Sequence, residues 1–406
     1  MSSSTRSPGT PASSCRVAYL ARSIAPSRTA NSVHVMRMAD GYHQAGARIS
    51  LSLPRWSTRH GVEAGVRDLH AFYGISPEIR VRRLPRLGGG TGDTLLMAGL
   101  LPLVAVLQRP TFVHTRSIAM AWGVRRLSKA TVLLELHGPP PEGGRRRQML
   151  DDFLARPFGK GLVVISERLR TMVAAMLGDS RMPETLVAHD GVDHTWLGCT
   201  TPTAEARAAL RLPSAPLCLY TGHLYEGRGL DLISSLAKSM PDVHFVIVGG
   251  TEIDLATRRR SPTPSNLELR GFCPPNEVLR YLKAADVLLM PYQRRISVSG
   301  TGTNTADFAS PLKMFEYMAS ERPIVSSDLP VLREVLEDRR NALLREPGDH
   351  EGWALAIREL LSNRALATGV ASEARTDVER FTWKARAERL ISFATSLSGT
   401  STDDRD

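Results

Sequence analysis

The sequence predicts an α/β protein built from two doubly wound, parallel-sheet domains. Three observations carry that expectation. Short apolar runs alternate with amphipathic stretches along nearly the whole chain, and strand-then-helix repetition is the pattern of a parallel sheet covered by helices. Runs such as VLLEL (132–136) and VHFVIV (243–248) are apolar almost throughout, as strands buried on both faces are. The alternation pauses once, at residues 190–214, where Gly191, Gly198, Pro202 and Pro213 occur without a strand-like run. That pause reads as a junction between domains.

The elements follow in order. Residues 1–14 are rich in Ser, Pro and Thr, and with residues 397–406 they read as flexible tails. Residues 15–195 form the expected first domain, with strands at Val17–Leu20, Ile49–Leu53, Phe112–His114, Val132–Leu136, Leu162–Ile165 and Leu186–Ala188. Ala30–Gln44 and Glu167–Leu177 have helical spacing. Leu95–Leu107 is the most apolar stretch. It is short for a membrane span and contains Pro102, so a buried helix is expected. Residues 196–212 read as a linker. The second domain, 213–382, has strands at Leu217–Tyr220, Val243–Val248, Val287–Met290 and Pro323–Ser326. Helices are expected at Leu230–Met240 and Glu277–Ala284. A last helix is expected over 383–397.

Composition narrows the function classes. Of 406 residues, 42% are hydrophobic and 23% charged, as in a folded protein. The net charge is +11. Residues 1–200 hold 26 basic and 14 acidic side chains, and residues 201–406 hold 26 and 27. The excess therefore belongs to the first half, and a basic face attracts anions: nucleic acid, an anionic membrane or a phosphorylated substrate. Cys15, Cys199, Cys218 and Cys273 are far apart. They suit neither a disulfide framework nor a zinc knuckle, and they fit a reducing cytosol. The N-terminus has no apolar signal core.

In open parallel sheets ligands bind beyond the carboxyl ends of the strands, so the loops there are the candidate sites. The strand Leu217–Tyr220 runs into TGHLYEGRGLD. Glycines there let backbone N–H groups approach a ligand, and the helix beyond presents its positive end. Arg228 stands just before that helix, as a diphosphate ligand or a solvent-facing side chain. Gly249-Gly250 lacks the third spaced glycine of a dinucleotide fingerprint and reads as a turn. The strand Val287–Met290 opens into SVSGTGTNTADFAS (297–310) and then PLKMFEYMAS. Ser310 is expected to cap the next helix with Pro311 at its first position. Lys313 in the first turn opposes the helix dipole unless it meets an anion. Glu316 projects near Lys313, where a carboxylate beside a phosphate site accepts hydrogen bonds from ribose hydroxyls. The pair also fits an exposed face of an amphipathic helix. His137, at the end of a strand and before three prolines, is a cleft residue or a structural histidine. Arg145, Arg146 and Arg147 open a helix or join the basic face.

Taken together, these segments resemble the GT-B glycosyltransferases, in particular the large retaining group called family 4. The resemblance spans residues 16–397 and is most specific over 160–345. VVISERLR, HDGVDHTWL, YTGHLYEGRGLD, VIVGG, LRGFCPPNEVLRYLKAADVLLMPY and SPLKMFEYMASERPIVSSDLPVLREVL appear in the family's order. It implies roles by position. Gly222, His223, Arg228, Leu312 and Lys313 would meet the donor diphosphate. Glu316 would hold the ribose, and Gly271 and Phe272 the nucleobase. Asp307, Ser310 and Pro311 would lie by the donor sugar. His137 and Glu316 would stand at the reacting centre. The helix beginning near Trp383 would cross back onto the first domain.

Two departures accompany it. Where the family often has a first glutamate this chain has Phe308, with Asp307 one position earlier. The loop after the first strand, ARSIAPSRTANS, has Ser and Arg but no glycine pair. The resemblance implies transfer of a sugar, with retention, from a nucleotide-sugar substrate to a saccharide, lipid-linked or other small acceptor, in glycan, polysaccharide or glycolipid synthesis. It implies no cofactor and no metal, and the only Asp-x-Asp is Asp404–Asp406. A cytoplasmic site is expected, with the basic half against an anionic membrane surface. Alternatives are a nucleotide-sugar epimerase or phosphorylase of the same fold, a non-catalytic sugar-binding relative, and a basic nucleic-acid-binding protein. No nucleic-acid recognition module is visible, and nucleic acid is not an expected partner.

Overall fold

In a computed structural model, described for residues 15–86, 91–157, 159–258, 262–296 and 304–399, two all-parallel sheets face one another. The two expected tails (397–399 apart) and residues 297–303 of the long loop lie outside the described residues. The first sheet contains β1 (Arg16–Leu20), β2 (Arg48–Pro54), β3 (Arg80–Leu84), β4 (Phe112–Thr115), β5 (Thr131–Leu136), β6 (Lys160–Val164) and β7 (Thr185–Val187). Their order is β3-β2-β1-β4-β5-β6-β7. The second contains β8 (Leu217–Thr221), β9 (His244–Val248), β10 (Leu267–Leu269), β11 (Val287–Met290), β12 (Ile324–Ser327) and β13 (Leu343–Arg345). Their order is β10-β9-β8-β11-β12-β13. Each sheet reverses direction once, between β1 and β4 and between β8 and β11. Such a switch point leaves a crevice at the carboxyl ends of the two strands.

Alternation along the strands explains why both faces are covered. In β1, Val17 and Tyr19 join one apolar cluster and Ala18 and Leu20 the other. In β8, Leu217 and Leu219 face one way and Cys218 and Tyr220 the other. A strand points successive side chains to opposite faces, so these runs must be apolar throughout. Side-chain caps start the helices that return from the strands. Thr29 accepts from Ser32 N–H, Ser117 from Met120 N–H and Ser166 from Leu169 N–H.

The apolar segment Leu95–Leu107 departs from expectation. It belongs to a helical stretch over 91–106 with a π turn at Leu96–Leu100. Pro102 has no N–H to give Ala98, which loosens the ladder there. Leu96, Met97, Leu101 and Ala105 are buried, but Leu95, Leu103 and Leu107 are 60%, 42% and 72% exposed. The helix is half-buried, not buried. No helix among the described residues is long and apolar enough to cross a membrane.

The chain passes between the two sheets twice, and the two passages lie side by side. Val192 bridges Thr382 in parallel. Val192 N–H donates to Phe381 C=O at 2.9 Å, and Trp383 N–H to Val192 C=O at 3.1 Å. Beyond this point the Trp383–Gly399 helix packs along the Ala30–Gln44 helix.

Candidate active site

The loops beyond β8 and β11 form one wall of the cleft. Gly222 has φ +130°, and a Cβ on it would lie 2.8 Å from Lys313 Nζ. Only glycine lets the backbone and that amine lie together. Gly229, at φ +77°, precedes the Leu230–Ser239 helix and packs on the Pro291 carbonyl. Arg228 is thereby held with its guanidinium 4.8 Å from the Tyr292 ring. Lys313 Nζ is 3.7 Å from the Tyr220 ring and 5.2 Å from that of Tyr292. Two cations thus meet over the same aromatic floor.

Their electrostatics are unusual. Lys313 Nζ and Arg228 Nε are buried without a hydrogen-bond partner. Burial, reinforced by Arg228, pushes the Lys313 amine well below the ordinary lysine range. Burial also raises the Glu316 carboxyl to about 7, although Lys313 and Arg37 oppose the rise. Glu316 lines the crevice between the two halves with Val33, Arg37, Asp193, Leu312 and Trp383. Burial first, then Arg228 and Lys313, lower the His223 imidazole. It is therefore neutral at pH 7, and its ring stacks on Tyr225 at 4.8 Å.

The remaining residues proposed from sequence fall nearby with two corrections. Ser310 does not cap the next helix. That helix is Leu312–Ala319 with Pro311 as its extended N-cap and no side-chain cap bond. The Ser310 hydroxyl instead accepts from Asp190 N–H at 2.9 Å, across the two halves. Phe308 stands where an acid was looked for, and it is buried in an apolar cluster of the first half. A Cβ on Gly138 would lie 3.6 Å from its ring. Asp307 is exposed, with Asn304 Nδ2 at 3.5 Å. Gly271 has φ +66°, and Phe272 is 39% exposed under the Arg28 guanidinium at 3.8 Å. Arg28 belongs to the first half, so this contact also spans the cleft.

The facing wall centres on Glu135, which is fully buried in β5. His137 Nε2 bonds its Oε1. His34 Nε2 lies 3.0 Å from the same oxygen. His114 Nε2 and Arg386 Nη2 reach Oε2 at 3.0 and 2.9 Å. His34 Nδ1 is 3.0 Å from Asp190 Oδ1. Burial works to raise the Glu135 carboxyl, but Arg386 and His34 overcome it and hold the group well below the usual range. Burial and Arg116 push His137 down to about 3, so His137 is a neutral imidazole.

No metal site was expected, yet His34, Glu135 and His137 bring one ligand atom each within 4.8 Å of one another. Two imidazoles and a carboxylate suit a divalent transition ion. Glu135 Oε1 faces both of these imidazoles, while Arg386 and His114 hold Oε2.

Sequence reasoning did not find Glu135, His34, His114, Asp190 or Arg386. The available signal was a carboxylate inside the apolar run VLLEL, since a charge in a doubly covered strand needs a cation partner. An open groove lined by Arg339, Arg340, Leu366 and Glu373 lies away from these loops. It holds the Arg340–Asp377 and Arg340–Glu373 ion pairs.

Comparison with known proteins bears on the fold and on the family of the second half. Residues 215–363 match the family of glycosyl transferases group 1. The D-inositol 3-phosphate glycosyltransferase of Corynebacterium urealyticum is 25% identical over 215 residues, 49% of this chain and 48% of that protein. The chain thus spans about half the length of the curated relatives it matches. A glycosyltransferase structure from Rickettsia africae superposes with a TM-score of 0.73 at 14% identity, covering 95% of this chain and 99% of that one. Anabaena HepE in complex with UDP-glucose gives 0.68 at 15% identity, covering 94% and 99%. At these identities the structures speak to the fold alone. The chain has the GT-B architecture, and its residues 215–363 carry a domain of the glycosyl transferases group 1 type.

Proposed function

We propose that the protein is a glycosyltransferase that moves a sugar from a nucleotide-sugar donor to an acceptor hydroxyl, with retention at the anomeric carbon and without a metal. One observation carries this reading. Lys313 Nζ, beside Gly222, and Arg228 Nε are buried without a hydrogen-bond partner, on the loops beyond β8 and β11 where the second sheet switches direction. A buried cation without a counter-charge is costly, and a diphosphate would complete both. Anions fit such a strand-end loop before a helix.

The roles follow from the chemistry. As the bond from the anomeric carbon to the diphosphate oxygen breaks, negative charge grows on the leaving group. Arg228 and Lys313 stabilise it. Glu316, once ionised, accepts from the ribose hydroxyls. Gly271 and Phe272 border the base. The acceptor oxygen bonds the anomeric carbon from the face the diphosphate leaves, and its proton passes to the departing phosphate oxygen. His137, neutral and held by Glu135, positions the donor sugar and does not act as a general base. Asp307, Pro311 and Leu312 border the sugar; Ser310 serves by joining the halves. The basic first half suits an anionic acceptor or an anionic lipid surface.

The test is transfer and donor hydrolysis across a panel of nucleotide-sugars, with Arg228→Ala and Glu316→Ala beside the wild type. Both variants should lose at least tenfold in kcat/KM. Unchanged turnover in both would remove the assignment. Activity should survive chelation, and its full loss in EDTA would overturn the metal-free step.

A further inference from the structure

The wall around Glu135 holds an arrangement that sugar transfer does not use. His34, in the Ala30–Gln44 helix, is buried between two carboxylates. Its Nε2 is 3.0 Å from Glu135 Oε1, and its Nδ1 is 3.0 Å from Asp190 Oδ1. Among the described residues, neither nitrogen is aligned for a hydrogen bond, and Asp190 Oδ1 has no partner. A neutral imidazole carries one N–H, so one of its nitrogens turns a lone pair toward a carboxylate oxygen. Two buried acceptors held that close call for a cation between them. A proton serves well only when the two atoms stand in line, and here they do not. An ion bonded to both sits off the line that joins them.

The surroundings fit a tetrahedral divalent ion. His137, just past β5, brings its Nε2 to the same Oε1, and the three ligand atoms lie within 4.8 Å of one another. The two imidazole rings meet at 85° with centroids 4.8 Å apart. Two imidazoles on one zinc ion, with bonds of about 2.0 Å, place their centroids about 5 Å apart. The ligands are also held from behind. Asp190 backs His34 Nδ1, while His114 and Arg386 fix Glu135 Oε2 at 3.0 and 2.9 Å. Outer partners of this kind orient metal-binding histidines and carboxylates. His34 and Glu135 are buried, whereas the His137 side chain is 23% exposed, so a fourth position opens on the His137 side. Arg116 Nε is 4.0 Å from Oε1, and its charge makes a small anion the fitting fourth ligand.

We propose that His34 Nε2, His137 Nε2 and Glu135 Oε1 form a binding site for a divalent transition ion, zinc above all, and that the bound ion opposes sugar transfer. Two imidazole nitrogens and one carboxylate oxygen select Zn2+ over Mg2+ and Ca2+, which take oxygen ligands. On binding, His34 keeps its proton on Nδ1 toward Asp190. His137 changes tautomer, its proton moving from Nε2 to Nδ1 through solvent. The ion and its fourth ligand then occupy the open side of His137, where the donor sugar is placed. The blocking role rests on the nucleotide-sugar reading; the site itself does not, and the test separates the two.

The experiment takes the full chain, stripped with EDTA and dialysed, and titrates it with ZnCl2 and with MgCl2 by calorimetry. Wild type should bind one Zn2+ and no Mg2+. CoCl2 supplies a second readout, because four-coordinate Co2+ absorbs visible light far more strongly than the hydrated ion. His137→Ala and His34→Phe should each weaken Zn2+ binding about a hundredfold and remove the cobalt band. Asp190→Asn should weaken it about tenfold. His137 is partly exposed, so its variant remains informative if His34→Phe folds poorly. A wild type that binds no Zn2+ overturns the site. Binding that both histidine variants leave unchanged overturns it equally, since the ion then lies on other histidines or on a cysteine. Transfer from the donor should fall about tenfold at saturating Zn2+ and return when EDTA is added. Transfer that a filled site does not slow overturns the blocking role. A chain that binds Zn2+ through these residues but transfers sugar from no nucleotide-sugar keeps the site and overturns the donor reading.

Discussion

The two walls of the cleft solve the problem of buried charge in opposite ways. In the first half, Glu135 is matched by Arg386 and three histidines, and Asp190 by His34. In the second, two cations, Arg228 and Lys313, meet over Tyr292, and Arg228 Nε and Lys313 Nζ make no hydrogen bond. A closed network rigidifies whatever it holds. An open one stores instability that a ligand can relieve. The first wall therefore reads as scaffold for His137, and the second as a site waiting for an anion.

The contrast breaks most visibly if the open side does not need its cations. Arg228→Ala combined with Lys313→Ala should weaken nucleoside diphosphate binding at least a hundredfold by calorimetry; retained affinity would mean the diphosphate binds elsewhere. The closed side should respond in stability. Arg386→Met leaves Glu135 buried without its guanidinium and should cost about 3 kcal/mol in urea unfolding. A loss below about 1 kcal/mol would show that the histidines alone carry the charge.

Lys313→Met should act the other way and stabilise the ligand-free protein at pH 7 by about 1 kcal/mol. The folded-state pKa of Lys313 is depressed. The unfolded chain therefore binds more protons below the ordinary lysine value of 10.5, and wild-type stability rises with pH toward it. The gain from Lys313→Met should shrink along the same path.

Glu316 has the reverse sign. Its folded-state pKa is raised from 4.5 to about 7. Its contribution is present below 4.5 and lost as pH rises through about 7. Because Glu316 is only half-buried, the loss should be on the order of 1 kcal/mol. Glu316→Gln should abolish that slope, and a slope that persists places it on another group. The smallest effect belongs to the contact across the cleft. Arg28→Ala removes an exposed cation–π contact worth about 0.5 kcal/mol. It should leave Tm nearly unchanged while altering KM for the donor.

Legibility in the sequence followed burial. Strands covered on both faces announced themselves as apolar runs. β3, β10 and β13 did not, and each is the outermost strand of its sheet. β3 reads RVRRL, since an edge strand can carry charge where a central one cannot. The residues proposed for the donor lie in the loops after β8 and β11 or in the first turns of the helix that follows, which is where the topology of an open parallel sheet directs attention. The Glu135 network was not, because its members come from residues 34, 114, 135, 137, 190 and 386. Ser310 was misread because its local sequence looked like a cap, whereas its partner, Asp190, lies 120 residues away.

The paired passages of the chain at Val192 and Thr382 have a mechanical consequence. Two segments bonded side by side resist sliding and twisting but still permit bending. The sheets can then move mainly as two leaves about one axis through that pair. Arg386, just past the axis, fixes the returning helix to the first leaf through Glu135 and the carbonyls of Ala188 and His189. The chain's last helix therefore travels with the first leaf, and removing it would take away one of the two strands of the hinge's support.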